Sequence, residues 1–238
     1  MNRDGWLDML GLSEDEVPRV LVLESTWERR RALDARLPLL ESVRELSLLD
    51  LWHGWYRDVP VVYGPAYGAT RAVEPVHVLG TCGTPLVVQI GSCASLQPGV
   101  RAGDVVLSER ATIDEGVSRH YGVEGSSTAN LGRVARAARL LAHRGHHTHR
   151  GLTVTTSALL TQAPDQVRSW AEAGHLAVDL ETSAVFSAAQ SLGMRAVSLR
   201  SVQSELPDRP WPAVLTPEEK RKDERASKAL FVVALGLV

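Results

Sequence analysis

Short apolar runs recur between segments of helical period along this chain. That alternation restricts the available architectures more than any other feature. RVLVL (19–23), DVPVVY (58–63), PLVVQI (85–90), DVVLS (104–108) and RAVSL (195–199) read as strands, as does Gly151–Ala158. The intervening segments read as helices. Residues 1–17 form a short amphipathic helix or arm, and residues 24–38 a helix with Ser25 or Thr26 as cap and Pro38 as stop. Residues 64–83 turn into a helix with a proline, Pro75, inside it. Apolar residues at 131, 134, 135, 138, 141 and 142 mark a helix over Asn130–His143. Residues 165–173 are helical, and 178–192 form a strong helix ended by Gly193. The last helix opens on Thr216 and Pro217. Strands alternating with helices imply an α/β protein with a largely central sheet.

With 238 residues, 44% of them hydrophobic and 23% charged, the chain can bury a sizeable core. No Gly/Ser-rich linker or repeat divides it, and the Pro-rich stretch Leu206–Pro217 is a loop too short to separate two domains. One domain over 1–238 is expected. Lys and Arg number 26 against 28 Asp and Glu, a balance that argues against a nucleic-acid or anionic-membrane surface. Two cysteines exclude a disulfide-dense scaffold and a four-cysteine zinc site. No apolar run reaches the ~18–20 residues of a membrane-spanning helix, and the acidic N-terminus lacks a basic region followed by an apolar one. A soluble cytoplasmic protein is the expectation.

His143, His146, His147 and His149 crowd one stretch, but no carboxylate or cysteine is near them in sequence. Structural zinc sites draw on spaced ligand pairs, so the stretch reads as a solvated helix end and no metal site is expected. Neither the dinucleotide fingerprint nor the P-loop pattern is intact. More informative is VVQIGSCASLQPGVRAGDVV (87–106), where a buried strand empties into the small-residue turn Gly91-Ser92-Cys93-Ala94-Ser95. Ligands of α/β sheets sit at such strand ends, and small residues there let backbone N–H groups and the Ser92 hydroxyl approach an anion.

This segment resembles the nucleoside phosphorylase family in its uridine phosphorylase branch. Gly91-Ser92, Gln97-Pro98 and Gly103-Asp104-Val105 match that branch in order. A second anchor, Val178-Asp179-Leu180-Glu181-Thr182-Ser183-Ala184, resembles the family's Glu-Met-Glu helix start. The resemblance implies a three-layer α/β/α fold with a mixed, partly barrel-like central sheet. It also implies cleavage of a nucleoside C1′–N bond, with inorganic phosphate as co-substrate and no cofactor. By the resemblance Glu181 holds the ribose hydroxyls and Leu180 packs on the sugar. Arg29, Arg44 and Ser92 contact phosphate, with Gln89 at the position of a family arginine. Gln166 and Arg168 read a pyrimidine base. The family completes each pocket with a neighbouring subunit. A homodimer or a hexamer built as a trimer of dimers follows, with Arg44 and the segment around Met9 at the interface and Trp6, Leu7 and Leu10 otherwise exposed.

The departures cluster at the anion. Gln89 replaces a charge-assisted, bidentate contact by a neutral amide. Gln203-Ser204 stands where the purine branch carries Ser-Asp, so no carboxylate falls at that place to protonate a base. Two alternatives stay open: a nucleosidase in which Glu28 activates water, and a catalytically silent nucleoside-binding protein of the same fold.

Overall fold

The computed structural model describes residues 1–209 and 214–238. The part of the Pro-rich stretch at 210–213 lies outside the described residues. The chain opens with helix α1 (Arg3–Leu10), capped by the Asn2 carboxamide on the Gly5 N–H at 3.1 Å. Leu7 and Leu10 of this helix are buried in the chain's own core, which corrects the expectation of an exposed arm.

Strand β1 (Val20–Ser25) is followed by helix α2 (Arg29–Arg36). Then come β2 (Glu41–Glu45), β3 (Trp52–Tyr56) and β4 (Val59–Pro65). Neither β2 nor β3 shows in the sequence pattern. ESVRE is a polar edge segment with an irregular register, and WHGWY lacks a clean alternation. Helix α3 (Ala69–Thr81) continues past buried Pro75 without ending there. Strand β5 (Leu86–Ser95) extends through the glycine turn rather than stopping before it. After β6 (Val105–Asp114) and the three-residue β7 (Ser126–Thr128) come α4 (Leu131–Ala142) and β8 (Thr148–Thr156).

Helix α5 (Pro164–Glu172) leads to β9 (Ala177–Asp179) and α6 (Thr182–Ser191). The single helix expected over 178–192 is therefore a strand, a break and a shorter helix. Val178 pairs with Ala94 on β5, and the Asp179 carboxylate accepts the Glu181 and Thr182 N–H groups that open the helix. Strand β10 (Arg195–Glu205) and helix α7 (Pro217–Leu235), with its Thr216–Glu219 capping box, complete the chain.

Strand β5 organises the sheet. It pairs in parallel with β1 and β10, and its end pairs antiparallel with β9. β10 joins β6, β6 joins β8 and β8 joins β9, so β5, β10, β6, β8 and β9 close on themselves like a barrel. β1, β4, β3 and β2 extend from β5 as an open wing. Helices flank this sheet, α3 packing on α6, and α7 on β1, β5, β10 and α4. This is the mixed, partly barrel-like α/β fold expected from the sequence. α6 is buried around most of its circumference, which its small Ala and Ser residues permit. In β10 the register slips once. Val202 faces Cys93 and Ser204 faces Ala94, leaving Gln203 without a ladder partner on β5. Among the described residues no helix is long and apolar enough to cross a membrane.

Candidate active site

A cavity of about 500 Å³ opens where β1, β5, β9 and β10 end, bordered by Ser25, Ser92, Glu181 and Ser204. Gly91 makes this convergence sterically feasible. Its φ is +146°, and a Cβ there would lie 2.8 Å from Arg200 Nη1 and 2.9 Å from the Ser25 Cβ and carbonyl oxygen.

Beneath the turn lies a buried charge cluster. Arg200 on β10 is 1% exposed. Its Nη2 lies 2.9 Å from Glu181 Oε2 and 3.1 Å from Asp179 Oδ2. The Gly68 N–H, at the start of α3, donates to Glu181 Oε1 at 2.7 Å. Burial pushes the Glu181 carboxyl up, with Arg200 pulling against it. Gln89 is fully buried. Its amide donates to Ser25 Oγ at 3.3 Å, and its oxygen accepts from Thr182 Oγ1 at 3.1 Å. The Thr182 hydroxyl also meets Arg200 Nη2 at 3.4 Å, so the neutral amide and the guanidinium share one neighbour. A second buried pair closes the side toward α7. Arg36 donates twice to Glu24, each at 2.9 Å, and to Ser227 Oγ at 2.8 Å, while Tyr63 donates to Glu24 at 2.8 Å.

Of the residues singled out in the sequence, Glu28, Ser92, Leu180 and Glu181 line the cavity. Glu28 sits at the start of α2, paired with Arg31 at 2.9 Å. Gln89 lies just under the lining, in contact with Ser25. Arg29 is not in the lining; its Nε donates to Asp50 at 2.6 Å and its guanidinium stacks over Trp52 at 5.0 Å. Arg44 lies on β2, donating to the Gly11 carbonyl at 2.8 Å and to Glu16 at 2.9 Å. Backbone and arginine donors together hold Glu16 down to about 2. Gln166 and Arg168 are exposed on α5, Arg168 paired with Asp165, and neither lines the cavity. The lining instead includes Gln162, whose Nε2 is buried without a partner.

Two residues emerge only in three dimensions. Arg200 reads in sequence as one polar residue in a strand. Asp223 sits in the run KRKDER, which reads as an exposed helix face. It is buried and lines the cavity from α7. Its Oδ2 accepts from Gln203 Nε2 at 3.1 Å, while Oδ1 has no hydrogen bond. Burial pushes the Asp223 carboxyl up, against opposing hydrogen bonds from Ser201 and Gln203. A carboxyl thus reaches this end of the cavity from a helix, not from the strand end where the family pattern places one.

Known proteins share this architecture. The crystal structure of uridine phosphorylase from Vibrio fischeri ES114 superposes with a TM-score of 0.81 over 94% of this chain and 93% of its own, at 20% identity. A DeoD-type purine nucleoside phosphorylase of Thermoanaerobacter sp. (strain X514) is 26% identical over 96% of this chain and 97% of its own length. One from Caldanaerobacter subterraneus subsp. tengcongensis is 27% identical over 77% and 78%. The family model described as the phosphorylase superfamily matches residues 18–238. That match spans the cavity and every strand that builds it, and the chain belongs to the phosphorylase superfamily.

Proposed function

We propose that the chain cleaves the N-glycosidic bond of a nucleoside, with inorganic phosphate as nucleophile, releasing free base and pentose 1-phosphate without a cofactor. One observation carries this reading: the Gly91–Ser92 turn and the Leu180–Glu181 pair border the same cavity at the sheet's strand ends. The Glu181 oxygens are anchored by the Gly68 N–H on one side and Arg200 on the other, with the Ser25 hydroxyl also directed at the carboxyl. A carboxylate oxygen accepts more than one hydrogen bond, so the carboxylate retains capacity for a ribose hydroxyl. Leu180 then packs on the sugar, and Ser92 supplies a hydroxyl to the anion. Val178, Leu159 and Ala94 offer an apolar chamber for the base. A pyrimidine is the proposed base; Gln166 and Arg168 stay outside the cavity on α5, and the unpartnered amide of Gln162 in the lining is the group offered to the base. Arg44 is proposed to serve a neighbouring copy in a homodimer or trimer of dimers.

Departure of the base leaves negative charge on it, and a neutral carboxylic acid can neutralise that charge. Asp223 is the proposed donor, since burial favours its protonated form. The sign follows directly. The acid form is present below the raised pKa and lost above it, so kcat should fall as pH rises through that value. Asp223→Asn should lower kcat and flatten this limb of the pH profile. A limb of unchanged shape in the folded variant would remove Asp223 from the role.

A second reading takes water as nucleophile, with Glu28 activating it. It is favoured by the charge of the lining. The lining carries Glu24, Glu28, Asp179, Glu181, Asp223 and Glu224 against Arg31, Arg36 and Lys228, and Arg200 beneath it is already shared by Asp179 and Glu181. Arg31 and Arg36 already hold carboxylate partners. Base release from uridine and inosine, measured with and without phosphate, separates the readings. Release only with phosphate, and faster from uridine, is expected. Equal release without phosphate favours water, and inosine as the better substrate overturns the pyrimidine assignment. No release in either buffer, with nucleoside still bound, leaves a silent binding protein.

A further inference from the structure

Asp104 immediately precedes β6 and His147 immediately precedes β8. The two strands run parallel with Val105 opposite Thr148, so their lead-in residues are neighbours although 43 positions separate them. Strand alternation sets His149 on the same side as His147. His147 Nδ1 lies 3.1 Å, and His149 Nε2 2.9 Å, from a single oxygen, Asp104 Oδ2. The ligand atoms of the three residues all fall within 4.8 Å of one another. The two imidazoles stand edge to face, 4.6 Å between centroids.

The carboxylate is held by backbone. The Arg101 N–H donates to Asp104 Oδ2 at 3.1 Å, and the Val202 N–H donates to the Asp104 carbonyl at 2.9 Å. Two imidazoles and a carboxylate form a donor set suited to borderline divalent cations. Tetrahedral zinc with bonds of about 2.0–2.1 Å separates its ligand atoms by about 3.3 Å. The two imidazole–carboxylate separations reach that value with shifts of a few tenths of an ångström, and the two imidazole nitrogens, within 4.8 Å of each other, close on it by turning their side chains. His147 is exposed and His149 largely covered, so the cluster has one open side and one fixed side.

We propose that Asp104, His147 and His149 form a binding site for a divalent transition cation of the zinc class, with water filling the remaining coordination. Each imidazole would carry its proton on the ring nitrogen away from the ion. The site is separate from the cavity but close to its wall. Gly103 presses on α7, where a Cβ would fall 2.4 Å from Lys222 Cβ, and its N–H donates to the Val202 carbonyl at 2.9 Å. Lys222 and Val202 directly precede Asp223 and Gln203 in sequence, so a bound ion would clamp the backbone that carries both.

The test uses the full chain stripped with a chelator. Zn²⁺ is titrated in competition with a chromophoric chelator, and Co²⁺ binding is followed by its visible ligand-field bands. One equivalent of Zn²⁺ is expected, with intense bands of a four-coordinate Co²⁺ site. His147→Ala and His149→Ala should each weaken Zn²⁺ at least about tenfold, as losing even an outer-shell partner costs 10–100-fold. His143→Ala, an exposed histidine of the same stretch, should bind as the parent does. His147 is exposed, which keeps its variant informative should His149→Ala fail to fold. No saturable binding overturns the proposal, as does parent-like affinity in folded His147→Ala. An equal loss in His143→Ala would reveal nonspecific histidine binding and overturn it as well.

Discussion

Arg200→Met is expected to lower the unfolding free energy by about 3–5 kcal/mol, the usual cost of removing one partner of a buried ion cluster. Arg200 balances Asp179 and Glu181 at 3.1 and 2.9 Å, and all three side chains are almost completely buried. Without the guanidinium, two carboxylates share a water-poor site. The Glu181 carboxyl, already raised by burial, should rise further. A carboxyl raised in the folded state contributes stability that is present at low pH and lost as pH climbs through its folded pKa. The deficit of the variant should therefore shrink toward acidic pH. Urea unfolding at several pH values measures both effects. A deficit below about 1 kcal/mol at neutral pH would show that water reaches the cluster and screens it.

Glu181→Gln is expected to weaken nucleoside binding and lower kcat/KM by about 10–100-fold, the range for losing hydrogen bonds to a charged group. The carboxylate meets the Gly68 N–H with one oxygen and Arg200 with the other. An amide offers one acceptor oxygen, so it can keep one anchor and must turn a donor toward the other. Calorimetry with a nucleoside and with its free base separates a local from a general effect. Nucleoside affinity should fall while free-base affinity holds. Equal nucleoside affinity in a folded variant would exclude Glu181 from sugar binding.

Strands β1, β4, β5, β6, β8 and β10 were legible because buried β-strands in an α/β sheet are short apolar runs, as in RVLVL and PLVVQI, whereas the polar edge strand β2 and the short β7 carry no such run. The glycine turn and the Val178–Ala184 segment were legible because backbone approach and the helix start need particular residues in consecutive positions. The split of 178–192 into strand and helix was not, since Val178 and Asp179 fit a helical pattern until the partner Ala94 is known. Arg200 and Asp223 escaped for a related reason. Each owes its role to residues distant in sequence or from another element, and a charge among charges, as in KRKDER, carries no local sign of burial. Asp104 beside His147 is the same case, a contact created by strand register alone.

Gln203 occupies a place in β10 that the ladder does not count. Ser204 meets Ala94 and Glu205 meets Ser95, the next pairs after Val202 with Cys93. Removing Gln203 would let Ser204 follow Val202 directly and keep both pairings. The strand thus tolerates a change of length by one residue without being re-threaded, and what such a change costs is the hydrogen bond to Asp223. A contact between strand and helix at the cavity wall hangs on an expendable residue. A one-residue deletion here would retune that wall while leaving the faces of the strand in phase, since Ser204 and Glu205 keep their partners.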